Sequence, residues 1–196
     1  MCQEVSPTRK QYKGVFTIFK RYWGAYGGLQ ALLRSPYLHF SIVLLVATSN
    51  TWINAGWWEQ SIGVLPNLLG FTLGGFAIFI GFGDERFRQL LAEPDESEET
   101  HTVYVGLCST FVHFIIVQVL ALFCAILAEA WWFEFAWPPA VKAVLPALNV
   151  LGGAIGYGLF LYALTSVLAA TMHIFRIATM YEEYQRSLSE SAEQVE

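Results

Sequence analysis

Charged side chains are scarce in this sequence. Asp, Glu, Lys and Arg make up 14% of its 196 residues, compared with about 25% in typical soluble domains. Four segments contain none of them: residues 35–58, 60–83, 100–128 and 143–175. Each is longer than the roughly 20 residues that a helix needs to cross a bilayer core. The scarcity argues against a soluble helical domain, whose helices would each carry a polar face.

Residues with recognisable chemistry are also few. The three cysteines, Cys2, Cys108 and Cys124, lack the spacing of a metal site. The sequence has no H-E-x-x-H, no G-x-S-x-G and no phosphate-binding loop, so it predicts neither an enzyme nor a bound metal. His39 and His173 are the candidate pair for a haem, but scattered histidines are common in helical bundles and we expect no cofactor.

Apolar residues, in contrast, are abundant. They make up 55% of the chain, and the mean hydropathy is +0.46. The pattern predicts an all-α integral membrane protein, a bundle of four transmembrane helices preceded by an amphipathic interfacial helix. The predicted regions are a basic cytoplasmic segment (1–36), a membrane domain (37–172) with spans at about 37–57, 62–82, 103–128 and 144–172, and a cytoplasmic tail (173–196).

Two features indicate the orientation in the membrane. All of the 11 Lys and Arg residues except Lys142 fall on the side of the two termini, and cytoplasmic loops are the ones enriched in Lys and Arg. Six of the seven tryptophans cluster on the other side, at the level of an aromatic belt: Trp52, Trp57, Trp58, Trp131, Trp132 and Trp137. We therefore predict cytoplasmic termini, in a membrane that we take to be a bacterial inner membrane.

The most specific pattern is a stripe of small residues. In the second predicted span such residues follow one another at steps of three or four, on one face of a helix: Gly63, Asn67, Gly70, Gly74, Ala77 and Gly81. The fourth span has a similar stripe that includes Asn149, Gly152 and Gly156. Small residues let membrane helices approach closely. The stripes therefore indicate either packing within one subunit or a symmetry axis in a homo-oligomer, with or without a pore.

Polar residues of the spans cluster by depth. One group is predicted near the outer surface and comprises Asn50, Asn54, Glu59, Glu129 and Glu134. It is either a network of interhelical hydrogen bonds or an outer mouth that attracts cations. His113 and Gln118 are the strongly polar residues deep in the third span. For them, a structural hydrogen bond and a gate or proton site are the alternatives.

These features predict a homo-oligomeric membrane protein with the role of an ion channel or pore-like assembly. No charged residue lies near the middle of a span, which argues against an ion-coupled transporter. The alternative is a membrane anchor or sensor subunit for a cytoplasmic protein partner, for example in a bacterial stress or defence system. The expected partners are the lipid bilayer and further copies of the chain, and no nucleic acid is expected.

Overall fold

The computed structural model describes residues 7–53, 56–93, 101–132 and 138–193, and every regular element in these ranges is an α-helix. The helices are α1 (Pro7–Tyr26), α2 (Gly28–Arg34), α3 (Pro36–Ala47), α4 (Ser49–Ile53), α5 (Trp57–Gly81), α6 (Glu85–Ala92), α7 (Val103–Ala130) and α8 (Pro139–Glu193). Helices α5, α7 and α8 are long and apolar enough to cross a membrane. The pair α2–α3, bent by 56°, supplies a fourth candidate span if it is taken as one.

The first predicted span, residues 37–57, differs from a single helix. Helix α3 begins at Pro36, whose fixed φ suits a first helical turn. It ends at Ala47, because the backbone of Thr48 leaves the helical region at φ −101° and ψ 20°. The 12 residues of α3 rise about 18 Å, which is less than a bilayer core of about 30 Å. Helix α4 adds only five residues after the break.

The long helices alternate in direction, so the bundle has two distinct ends. At one end, the ring centroids of Trp58 and Trp132 lie 5.1 Å apart, which joins the start of α5 to the end of α7. At the other, Phe79 of α5 stacks on Tyr104 near the start of α7, 5.9 Å away. We call the first of these the tryptophan end. We call the second the terminal end, because the C-terminal part of α8 and the contact of α1 with α7 lie toward it.

The core lies between α5, α7 and α8. Toward the tryptophan end it contains Trp57, Leu65 and Phe160, and Ala121 and Ala163 are completely buried between the helices. Toward the terminal end an aromatic group continues it, made of Phe79, Phe87, Phe111 and Phe114. Helix α3 packs along α8, where Thr165 Oγ1 donates a hydrogen bond to the Tyr37 carbonyl at 3.0 Å. The interior between these helices is filled mainly with apolar side chains.

The basic N-terminal segment is two helices rather than one. Gly27 and Gly28 have φ angles of 93° and 64°, a left-handed conformation that glycine adopts at little cost. This turn separates α1 from α2. Helix α1 packs on α7 through its C-terminal half, whereas Tyr12 and Phe16 in its N-terminal half remain 75% and 70% exposed.

Helix α8 runs without a break from the apolar bundle into the predicted tail. Its 55 residues extend for roughly 80 Å at 1.5 Å per residue, far more than one membrane crossing needs. Beyond the bundle, Tyr181 and Tyr184 contact Phe87 of α6, with ring centroids 5.0 Å and 5.5 Å away. Asp84 caps α6 by accepting a hydrogen bond from the Phe87 backbone N–H. Most of the acidic middle loop, residues 94–100, lies outside the described residues.

Candidate functional site

The small-residue stripe of α5 lies on the surface of the bundle. All six members are exposed: Gly63, Asn67, Gly70, Gly74, Ala77 and Gly81. A Cβ atom added at any of its four glycines would meet no atom of another residue within 4 Å. No close approach between helices of the same chain therefore requires glycine at these four positions.

The stripe and the buried seam of α5 lie on opposite sides of the helix. The seam comprises Ser61, Leu65, Thr72 and Phe79, which pack toward α7 and α8. Each seam residue is followed two positions later by a stripe residue, and at 100° per residue this is a rotation of about 200°. Helix α5 thus packs one side into its own subunit and presents small residues on the other. Glu59, also exposed, continues the stripe by one further step of four at the tryptophan end.

The stripe of α8 is arranged differently. Gly156 is buried, and its missing side chain leaves the space that the ring of Trp57 occupies. Its neighbour Gly153 lies against Trp52, where an added Cβ would be only 2.8 Å from the Trp52 carbonyl oxygen. Here glycine serves packing within one chain. Asn149 and Gly152 are exposed, and they line an aromatic cavity rather than a helix contact.

This aromatic cavity lies at the tryptophan end and has a volume of about 490 Å³. Indole rings from three parts of the chain line it: Trp52, Trp57, Trp58, Trp131 and Trp132. Its opposite wall is the first half of α8. Its lining is largely apolar, with Asn149 as a polar member.

The residues predicted to form an outer polar mouth are only partly described. Asn54 and Glu134 lie outside the described residues. Asn50, Glu59 and Glu129 are all exposed and stand on three different helices. Of these, Glu59 lies on the line of the α5 stripe, whereas Glu129 belongs to α7, which packs on the opposite side of α5.

His113 is the centre of a buried hydrogen-bonded cluster. Its Nδ1 lies 2.9 Å from the hydroxyl of Tyr22 on α1, and its Nε2 lies 2.9 Å from the hydroxyl of Tyr162 on α8. The ring of Tyr26 stacks on the imidazole at 3.9 Å between centroids. Because a neutral imidazole has one donor and one acceptor nitrogen, one tyrosine donates to it and the other accepts. The cluster thus joins three helices that are distant in sequence.

The tyrosines of α1 are adapted to this buried position. Burial, followed by the proximity of Tyr26, raises the pKa of Tyr22 to about 12. Burial also raises the pKa of Tyr26. Both hydroxyls therefore keep their protons at neutral pH, as a hydrogen-bonding role requires. His113 lies ten residues after Val103, about 15 Å along α7. Helix α1 therefore contacts α7 about 15 Å from the terminal end of that helix.

Gln118 forms a second polar contact inside the bundle. Its Nε2 donates to Thr72 Oγ1 on α5 at 2.9 Å, and Thr72 in turn donates to the Leu68 carbonyl. The side chain is 1% exposed, and its Oε1 has no hydrogen-bond partner. The predicted pair of deep polar residues is therefore two separate contacts, one on each side of α7.

Sequence reasoning did not identify the partners of His113. Tyr22 and Tyr26 are four residues apart, so they share one face of a helix, and this spacing is visible in the sequence. It marks a possible contact face but does not say which helix receives it. The two candidate haem ligands are in separate environments. His39 Nε2 lies 2.9 Å from the Leu33 carbonyl oxygen, whereas His173 lines a cavity between α1, α7 and α8 that His39 does not line.

The chain matches no model of a known protein family, and no curated protein or solved structure is detectably similar to it. What the fold itself defines is an all-helical chain with three to four helices that could cross a membrane.

Proposed function

We propose that the chain is a four-span membrane protein that assembles into a homo-oligomer with a channel or pore-like role. The observation that carries the proposal is the exposed small-residue stripe of α5, opposite the side that packs into the subunit. Lipid contacts do not require glycine, but close approach between membrane helices does. In the proposed assembly, α5 of each subunit faces its neighbours and the symmetry axis.

Polar residues along the same line support a pore rather than a purely structural contact. Asn67 lies within the stripe, and Glu59 extends it at the tryptophan end. Around a symmetry axis, Glu59 would form a ring of carboxylates at one mouth, and such rings favour cations. In the proposed topology, α2 and α3 form the bent first span, the termini are cytoplasmic and the membrane is a bacterial inner membrane.

Ion flux in proteoliposomes tests this role. We expect purified protein to conduct monovalent cations, and Glu59→Gln to reduce the preference for cations over anions. Glu129→Gln is the matched control, since Glu129 is an exposed carboxylate on α7, on the opposite side of α5 from the stripe. Absence of flux from an oligomeric wild-type protein, or equal effects of the two substitutions, would contradict the pore.

The second candidate function is an anchor or sensor subunit for a cytoplasmic protein. The observation that favours it is the continuation of α8 past the bundle to Glu193, with an exposed polar surface beyond Tyr184. A rigid helix of this kind can present a binding surface at a fixed distance from the membrane. An oligomer without flux, whose cellular phenotype is lost when residues 185–196 are deleted, would favour this function.

A further inference from the structure

A cavity of about 500 Å³ opens at the terminal end, between α1, α7 and α8. His101 and Thr102 line it at the start of α7, and His173 and Arg176 line it from α8. Among the described residues that line it, none is acidic. Two histidines, two threonines and an arginine are among its lining residues, so the cavity has a polar lining beside an otherwise apolar bundle.

The side chains of this cavity offer hydrogen-bond donors and one positive charge. Arg176 supplies a permanent positive charge, and no ion pair to its side chain is found among the described residues. His173 Nδ1 is buried and has no hydrogen-bond partner. A buried polar atom without a partner is costly. In the tautomer that carries the proton on Nδ1, a ligand oxygen that accepts a hydrogen bond from it would relieve this cost.

The cavity lies beside the first turn of α7. Thr102 caps the helix by accepting a hydrogen bond from the Val105 N–H at 3.4 Å. Helix α7 has 28 residues, and the N–H groups at such a helix start carry a partial positive charge that attracts anions. Val103, the first residue of α7, lines the cavity.

From the cavity, its two histidines and its arginine, we propose a binding site for a phosphate group, either of a phospholipid headgroup or of free inorganic phosphate. The position suits both sources. The charge-free stretch of α8 ends at Phe175, just before Arg176, and lipid phosphates lie at such a boundary. The site is independent of the proposed pore, because it lies on the α7–α8 side of the subunit rather than on the α5 stripe.

Two substitutions test the site by different means. Arg176→Gln removes the charge. Gly106→Leu fills the space, since Gly106 lines the cavity and a side chain added there meets no atom within 4 Å. Arg186→Gln is the control, because it removes the same charge from the same helix at an exposed position that does not line the cavity.

The assay is native mass spectrometry of the full-length protein with equimolar phosphatidylglycerol and phosphatidylcholine, and calorimetry with inorganic phosphate. We expect wild-type protein to retain phosphatidylglycerol preferentially, because the choline cation of phosphatidylcholine offsets the charge of its phosphate beside Arg176. Arg176→Gln should lower this retention about tenfold, as loss of a charged hydrogen bond would, and Gly106→Leu should lower it by filling the cavity. Parallel loss of phosphate binding would identify free phosphate as a ligand, and loss of lipid retention alone would identify the headgroup.

The proposal is overturned if the two cavity variants bind lipid and phosphate as wild type does. It is also overturned if Arg186→Gln lowers binding equally, because the attraction would then be a general surface-charge effect. Thermal unfolding of each variant checks folding. If Arg176→Gln were unstable, Gly106→Leu alone would decide, since leucine favours a helix more than glycine does.

Discussion

Replacing Gly74 with leucine separates assembly of the subunits from folding of the single chain. Within the chain, a Cβ added at Gly74 meets no neighbouring side chain within 4 Å. Gly74 lines an apolar groove beside Ile174 and Ile177 of α8, so the added carbons have apolar space in the isolated subunit. Leucine is also a better helix former than glycine, by up to about 1 kcal/mol. We therefore expect the unfolding temperature of the single subunit to stay the same or rise slightly.

The proposed contact between subunits should respond in the opposite way. Extra carbons forced into a close-packed interface typically cost about 1–3 kcal/mol, which is roughly a 5- to 150-fold weaker association for each contact. Subunit number can be counted by native mass spectrometry in mild detergent, at a series of protein concentrations. Gly74→Leu should shift the distribution toward monomers at concentrations where the wild type is fully assembled.

Gly153→Leu provides the contrasting control. An added Cβ at Gly153 lies 2.8 Å from the Trp52 carbonyl oxygen within the same chain, so this substitution should lower the unfolding temperature of the subunit itself. If Gly74→Leu leaves the subunit count unchanged at every concentration, then the α5 stripe is not a contact between subunits. The reasoning from its exposure would then be refuted.

Three further substitutions test contacts inside the bundle. Tyr22→Phe leaves one nitrogen of His113 without its 2.9 Å partner and should cost about 1–3 kcal/mol, measured as a lower unfolding temperature and faster proteolysis of α1; unchanged proteolysis would contradict the docking of α1. Gln118→Leu should change stability by less than about 1 kcal/mol, because the Gln118 Oε1 is already unpartnered and Thr72 keeps its bond to the Leu68 carbonyl; a larger loss would show that this oxygen has a partner. Phe87→Ala removes a side chain that is 1% exposed and should lower the free energy of unfolding by about 3–5 kcal/mol. Backbone amides of α6 should then exchange hydrogen faster than those of the bundle, and equal exchange rates in both would contradict a separately packed α6.

Much of the fold follows from the sequence by itself. The apolar segments without charges predict the helices α5, α7 and the apolar part of α8, because an apolar run of this length has few other stable structures. The predicted start of the first span, at about residue 37, is one residue from the observed start of α3 at Pro36. The interruption of the helix at Thr48 could not be predicted, because threonine is also compatible with a continuous helix. The hydrogen bond from the Thr48 hydroxyl to the Leu44 carbonyl is seen only in the folded structure.

The direction in which each glycine faces was decided by tertiary structure. In the sequence, Gly74 and Gly156 belong to equivalent patterns, since both stand in G-x-x-x-G pairs. In the structure, Gly156 makes room for the ring of Trp57, whereas Gly74 is exposed and lines an apolar groove between α5 and α8. A helical period shows which residues share a face, but the packing of the other helices determines whether that face is inside or outside.

The same limit applies to the polar residues. The presence of a histidine deep in an apolar helix was evident from sequence, and so was its need for a hydrogen-bond partner. Its partners, Tyr22 and Tyr162, are 91 and 49 residues away. Sequence alone thus determined that His113 needs a hydrogen-bond partner. Only the tertiary structure decided that tyrosines of α1 and α8 are the partners, because long-range contacts depend on how the helices fit together.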